Sequence, residues 1–216
     1  MIPTKSILKF FGLFLAVYIA LMVFSSLTGI HHAYRSVFAN YCTSWYNTFG
    51  NSEILFQFES KPKVGHDALD LGIYFVNHEM LAAAKEDAKR KGIKEYSARR
   101  AEWGLNSWLF GFLPSLFLTS LILVSPISWR RKGIAFIVGL IVFHFYLTLR
   151  LHLEFSEQIS LHDWLSTKSG EGGFTKFVKR FLYIEFNYIM AFLVWIAVTF
   201  RKADFDGWMK ALQLKA

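Results

Sequence analysis

Apolar residues collect in four long runs along this chain, separated by segments where charged and polar positions dominate. The runs cover about 7–27, 108–124, 133–152 and 181–200. A helix that crosses the hydrocarbon of a bilayer needs roughly 20 mostly apolar residues. On that pattern the chain is expected to be an α-helical integral membrane protein. Its fold would be a four-helix transmembrane bundle with a small outer strand-plus-helix subdomain between spans one and two. The first run starts basic, with Lys5 and Lys9, as a secretory leader does. Its apolar stretch is longer than a leader's core, and no small-x-small cleavage pattern follows, so it reads as a retained span.

The segment 30–106 has its own order. "SEILFQFES" and "ALDLGIYFVN" are rich in β-branched and aromatic residues and flank "KPKVGHD", which holds Pro and Gly. This predicts two strands, at about 52–59 and 68–77, joined by a long turn. A helix over about 78–103 follows, capped by Asn77, with Glu79 in its first turn. Glu86–Arg90 and Glu95–Arg99 are favourable i,i+4 pairs on it, and Gly92 is a potential breaker. The chain therefore divides into a first transmembrane helix (1–29), an extracytoplasmic loop domain (30–106), a three-helix membrane core (107–200) and a cytoplasmic tail (201–216). Trp208, Met209 and Leu212 give the tail one apolar helical face. The stretch 167–174, "TKSGEGGF", reads as a flexible loop.

Charge sets the orientation. "SWRRKG" packs three basic residues into a short turn between runs two and three, and short basic loops stay in the cytoplasm. That predicts an inner-membrane, multi-pass protein with both termini cytoplasmic. The net charge of +8 favours contact with anionic lipid. No zinc-knuckle or phosphate-loop motif points to nucleic acid. The single cysteine, Cys42, excludes an intramolecular disulfide. In "ANYCTSWYN" it reads as a packed residue rather than a nucleophile, which would need a base or cation beside it.

The candidate chemistry lies in "HFYLTLRLHLE", at the end of the third run. His144 falls deep in that run, and Arg150, His152 and Glu154 fall toward its outer end. Arg150 and Glu154 are four apart and can pair on one helix. Tyr183, Glu185, Asn187 and Tyr188 open the fourth run, and His31, His32 and Arg35 close the first. With both termini inside, His144, Arg150, His152, Glu154, Glu185, Asn187, Tyr188, His31, His32 and Arg35 form one polar layer at the outer face. Ionisable groups at membrane depth are costly, so they mark either a site or a structural clamp. As a clamp, Arg150 pairs with Glu185 across helices or with Glu154. As a site, Arg150 binds an anionic group and His152 or Glu185 acts as acid or base. No metal or cofactor is expected. His31, His32 and His152 follow no ligand motif, and no second deep histidine faces His144 to hold a haem.

The run "PISWRRKGIAFIVGLIVFHFYLTLRLHLE" resembles the arginine-bearing helix of the exosortase/archaeosortase superfamily and of small membrane proteins associated with those systems. It shares a basic turn, an apolar helix with an early glycine, and an arginine near the outer end, here Arg150. The resemblance covers about 30 residues. It implies an associated or degenerate member rather than an active enzyme. Cys42 stands in "NYCT" in a different loop, and Leu147 stands where the family has an asparagine. The function expected is a non-enzymatic accessory or scaffold subunit of a bacterial-type membrane or envelope complex. Its partners would be the lipid bilayer, another membrane or envelope protein bound through the outer loop domain, and further copies of itself. The alternatives are a membrane enzyme acting on a lipid-linked or peptide substrate through Arg150, His152 and Glu185, and a transporter subunit relaying protons through His144 and Glu185.

Overall fold

The computed structural model of the chain describes residues 4–50, 53–61, 69–94, 96, 98–162, 164–165 and 186–200. In chain order these form helices α1 (Thr4–Thr28) and α2 (Ile30–Phe49), strands β1 (Ile54–Ser60) and β2 (Leu71–Asn77), helix α3 (His78–Lys91) and strand β3 (Arg100–Leu105). A single π-helical turn (Trp108–Phe112) then leads into α4 (Leu113–Val124), followed by α5 (Trp129–Ser160) and α6 (Phe186–Thr199). The chain divides into two compact units. Unit 1 takes Met1–Ile30, Gly111–Leu147 and Tyr183–Ala216; unit 2 takes His31–Phe110 and Thr148–Leu182.

Unit 1 is helical. Aromatic rings join α1, α4 and α6: Phe117 meets Phe14 edge-on at 5.1 Å and Tyr188 at 5.5 Å, and Phe10 stacks on Trp195 at 6.0 Å. Polar groups tie α5 and the turn before it to α6. Tyr146 donates to Asn187 Oδ1 at 3.2 Å, Trp195 Nε1 donates to Ser125 Oγ at 2.8 Å, and Arg131 donates to the Thr199 carbonyl at 3.0 Å. A Cβ on Gly139 would sit 3.5–3.7 Å from Ile122, Val198 and Leu118. That small residue is where α5 comes close to α4 and α6.

The expected four-span bundle is not what forms. Among the described residues, two helices are long and apolar enough to cross a membrane, α1 over Leu8–Thr28 and α5 over Trp129–Ser160. Of the most apolar window of α1, 11% is buried within the fold, which leaves most of its apolar surface facing outward. The other two runs make shorter apolar helices, Trp108–Val124 and Phe186–Thr199. At about 1.5 Å per residue, these 17 residues and the 14 described of the last run span less than the roughly 30 Å of hydrocarbon. The second run is also not a uniform α-helix. Pro114 has no N–H and crowds the carbonyl four residues back, and the preceding turn widens into the π form, which relieves that crowding. The hydroxyls of α4 are satisfied along the helix itself. Ser115 donates to the Gly111 carbonyl, Thr119 to Ser115, Ser120 to Leu116, and Ser125 beyond its end to Leu121.

Unit 2 is a three-stranded antiparallel sheet, in order β1-β2-β3, with α2, α3 and the last turns of α5. Strand β1 alternates cleanly, burying Ile54, Phe56 and Phe58. Phe56 pairs with Phe75, and Phe58 with Ile73, which in turn pairs with Trp103. One sheet face is therefore almost wholly aromatic and aliphatic. Phe155 of α5, 1% exposed, is set into that face. Its ring lies 4.8 Å from Tyr46, 5.5 Å from Phe56, 5.9 Å from Phe58, 5.3 Å from Phe75 and 5.9 Å from Trp103. The opposite face carries Gln57, Tyr74 and Glu102. There Arg100 lies over the Tyr74 ring at 4.5 Å and Lys61 pairs with Glu102.

The boundaries differ from the sequence reading in three places. Residues 30–49, read as part of an outer loop, form the twenty-residue helix α2. The helix expected to reach about 103 stops at Lys91, because Gly92 adopts φ 65° and its N–H turns back to Ala88 and Lys89, a left-handed cap that glycine favours. Residues 100–105 then form β3, in which Ala101 and Leu105 are buried while Arg100 and Glu102 are exposed. The start of α3 follows its cap, with Asn77 Oδ1 accepting from Glu79 N and Met80 N. The stretch 167–174 and the tail 201–216 lie outside the described residues.

Phe155→Ala removes the ring that five others surround. A loss of about 3–5 kcal/mol is expected for emptying such a core site. It should lower the melting temperature of the detergent-solubilised protein and open the Arg100–Ala101 bond in β3 to trypsin. Unchanged protection of that bond would show that the sheet holds together without Phe155.

Candidate functional site

The residues of the expected polar layer are drawn from both units. His144, Asn187 and Tyr188 belong to unit 1, whereas His31, His32, Arg35, Arg150, His152 and Glu154 belong to unit 2. Glu185, and with it the proposed Arg150–Glu185 clamp, lies outside the described residues. In unit 1, His144 Nδ1 donates to the Leu140 carbonyl of its own helix at 2.9 Å, so that nitrogen carries the proton. Asn187, fully buried, accepts from Tyr146.

In unit 2 the structure gathers a cluster that the sequence reading did not assemble. Asp70, just before β2, is fully buried. Its Oδ1 accepts from Ser107 N at 2.7 Å and its Oδ2 from Ser107 Oγ at 2.8 Å. Arg35, one turn into α2, approaches Oδ2 at 3.8 Å. The same guanidinium reaches the carbonyls of Lys61 and Asp70 at 3.4 and 3.5 Å, and the Asp70 carbonyl also accepts from Lys61 N. Arg35 Nη2 stands 3.4 Å from His32 Nδ1, and His31 packs edge-on against Trp108 at 5.1 Å. A buried carboxylate is tolerable only when its oxygens are bonded and its charge is met, and Ser107 and Arg35 do both. The clue in the sequence is slight: Asp70 is the one acid between Leu69 and Leu71 at the entrance to an apolar strand.

The second cation is handled differently. Arg150 is 4% exposed, with its guanidinium over the Phe110 ring at 5.0 Å. Glu154 lies one turn on at 3.9 Å, with its side chain 29% exposed. Arg150 thus faces an aromatic ring and a half-wet carboxylate on its own helix. The segment between the two cations is short. Asn106 caps the π turn by accepting from Leu109 N, and Phe110 N donates to the Asn106 carbonyl. His152 stacks on Tyr46 at 6.4 Å, and Tyr46 donates to the Thr148 carbonyl at 2.5 Å.

Cys42 is fully buried in α2, between Phe38 and Tyr46 on the same face. Burial pushes its thiol well above the usual thiol range, and pushes the Tyr46 phenol up as well. A thiol that stays protonated is a poor nucleophile. No group of three or more His, Cys, Asp or Glu is placed to hold a metal ion among the described residues. Scans of protein families, of curated proteins and of solved structures each return no match to this chain.

Two measurements separate the cations. In double-mutant cycles read by thermal or chemical unfolding, Arg35/Asp70 should couple by about 2 kcal/mol or more, since breaking a buried pair strands a charge. Arg150/Glu154 should couple by less than about 1 kcal/mol, as part-exposed same-helix pairs do. Equal couplings would contradict this division. Cys42 should resist maleimide at pH 8 in the folded protein and react at once after unfolding; prompt labelling of the folded state would place its thiol at the surface.

Proposed function

We propose that this chain is a non-enzymatic accessory or scaffold subunit of a membrane complex, and that it binds a partner protein through unit 2. One observation carries the reading. The buried cations that could have met an anionic substrate are engaged within the fold: Arg35 with Asp70, and Arg150 with Phe110 and Glu154. An enzyme that binds an anion needs a cation facing its substrate. Here Arg150 is 4% exposed and sits against a ring. The single cysteine, Cys42, is fully buried.

The surface offered to a partner includes α3. Of its fourteen residues Ala88 alone is buried, and Lys85, Glu86, Lys89 and Arg90 are exposed along its length. The proposal places the basic turn at Arg130, Arg131 and Lys132 on the cytoplasmic side of an inner membrane, in keeping with the positive-inside rule. The N-terminus shares that side, and unit 2 lies on the other. The resemblance around Arg150 to exosortase-associated proteins suggests an envelope-processing complex as the setting.

The test is site-specific cross-linking in intact cells. A photoreactive residue in place of Glu86 should give one discrete adduct with a membrane or envelope protein, and the adduct should persist when Arg150→Lys is added. An adduct with a lipid-linked molecule, lost in Arg150→Lys, would favour the enzyme reading instead. Single cysteines at Ser60 and at Arg131 check the sidedness. Ser60→Cys should label in intact cells and Arg131→Cys only after permeabilisation, and the reverse pattern would invert the orientation.

A further inference from the structure

The two edges of the sheet in unit 2 are finished differently. At one end of the β1–β2 ladder His78 N donates to the Glu53 carbonyl, and at the other Lys61 N donates to the Asp70 carbonyl. An antiparallel ladder bonds every second residue, so Leu55, Gln57 and Glu59 bond to β2 while Phe56 turns its backbone outward. Asn47 of α2 closes that edge. Its Nδ2 donates to the Phe56 carbonyl and its Oδ1 accepts from Phe56 N, both at 2.9 Å, as a neighbouring strand would. By the same alternation Leu71, Ile73 and Phe75 of β2 turn toward β3, where they pair with Leu105, Trp103 and Ala101. The backbone groups of Arg100, Glu102 and Gly104 therefore point away from the sheet. Among the described residues none bonds to them.

We propose that β3 is the seam of a dimer, pairing antiparallel with β3 of a second copy of this chain about a twofold axis at Ala101. An open strand edge is a template for another strand, and the side chains of this one select its own copy. In twofold antiparallel pairing, outward-turned residues must meet outward-turned residues, so the axis falls on a residue. An axis on Arg100 sets two guanidinium groups opposite each other, and one on Glu102 sets two carboxylates opposite; like charges so placed are unfavourable. An axis on Trp103 leaves Glu102 facing Gly104. An axis on Ala101 brings Arg100 opposite Glu102, and the symmetry repeats that pair. Both residues are exposed and share one face of the sheet. Arg100 rests on the Tyr74 ring, and the Glu102 side chain, beside Lys61, is 49% exposed, so each is held on the sheet with one side in solvent. Each Arg100–Glu102 pair also exchanges two backbone hydrogen bonds. On the other face Arg99 comes opposite Trp103, a guanidinium beside an indole. Ala98 comes opposite Gly104 and Ala101 opposite itself, so no bulky side chain crowds the seam. Opposite charges two residues apart on one strand thus give the self-complementary patch that a twofold interface requires.

This inference goes beyond the accessory role and does not rest on it. The test uses the full chain in detergent micelles, followed by sedimentation across a dilution series. The wild type should be a dimer that dissociates on dilution. Arg100→Glu makes the edge acidic at both positions and Glu102→Arg makes it basic at both, so each variant alone should dimerise about tenfold more weakly or worse. An equimolar mixture of the two variants should dimerise again, because each edge then meets its opposite; that rescue also shows that both variants are folded. A second measurement fixes the register. In a facing pair without hydrogen bonds the Cα atoms stand about 4.5 Å apart, within disulfide reach, so Ala101→Cys should link to its own copy on mild oxidation. A wild type that stays monomeric would overturn the proposal and leave the accessory reading, tested at Glu86, intact. A dimer indifferent to both charge reversals, variants that mixing does not rescue, or an Ala101→Cys dimer that forms no disulfide would each place the contact elsewhere and overturn it as well.

Discussion

The ring of Phe155 is the contact on which unit 2 is built. A three-stranded sheet has one face that must be covered, and a sheet this small is marginal alone. Here the centre of the cover is a phenyl group from α5, surrounded by Tyr46, Phe56, Phe58, Phe75 and Trp103, with Tyr46 of α2 itself 5.3 Å from Phe56 and 6.1 Å from Phe58. The register of the strands follows from it. Phe56 opposite Phe75, and Ile73 opposite Trp103, put every large inward ring within reach of that point, and a slip by one residue would turn all of them to the other face. Tyr46 joins α2 to the same cluster, and its hydroxyl fixes α2 on the Thr148 carbonyl.

Around this apolar centre the buried charges are arranged to be quiet. Asp70 has both oxygens bonded to Ser107 and its charge faced by Arg35. Arg150 shares its charge with a ring and a half-exposed glutamate. Such arrangements fix which segments meet more than they add net stability, because desolvation offsets most of the attraction. What Asp70 specifies is the meeting of three distant pieces of chain: the first turns of α2, the entrance to β2, and the residue before the π turn.

What could be read from the sequence was what depends on neighbours in the chain. The alternation of Ile54, Phe56 and Phe58 marked a strand, and Asn77 with Glu79 marked a helix start. The early end of α3 was also legible in principle, since Gly92 stood out as a breaker. Run length alone misjudged the second apolar segment, where Pro114 and the widened turn before it leave a helix too short to cross a bilayer alone. Helix α2 escaped notice because "HHAYRSVFANYCTSWYN" mixes aromatic and small polar residues, and its mean apolarity is low although Phe38, Ala39, Cys42 and Tyr46 are buried. The pairing of Arg35 with Asp70 depends on residues 35 positions apart, beyond any local pattern. Arg150 stood out as an intramembrane charge, but Phe110, the ring it rests on, has no mark that distinguishes it from other phenylalanines.

The division of the chain has a consequence for the order in which the protein is made. Unit 2 is discontinuous: residues 31–110 supply the sheet, and Phe155 arrives only after 111–147, which belong to unit 1. As the chain leaves the ribosome, all three strands exist before the ring that covers them has been synthesised. Until then α2 can cover their aromatic face only in part, through Tyr46, and exposed apolar strand faces are where nascent chains associate wrongly. Completion of the sheet is therefore timed by the synthesis of α5, so a pause in translation within α5 would hold the strands in their most adhesive state.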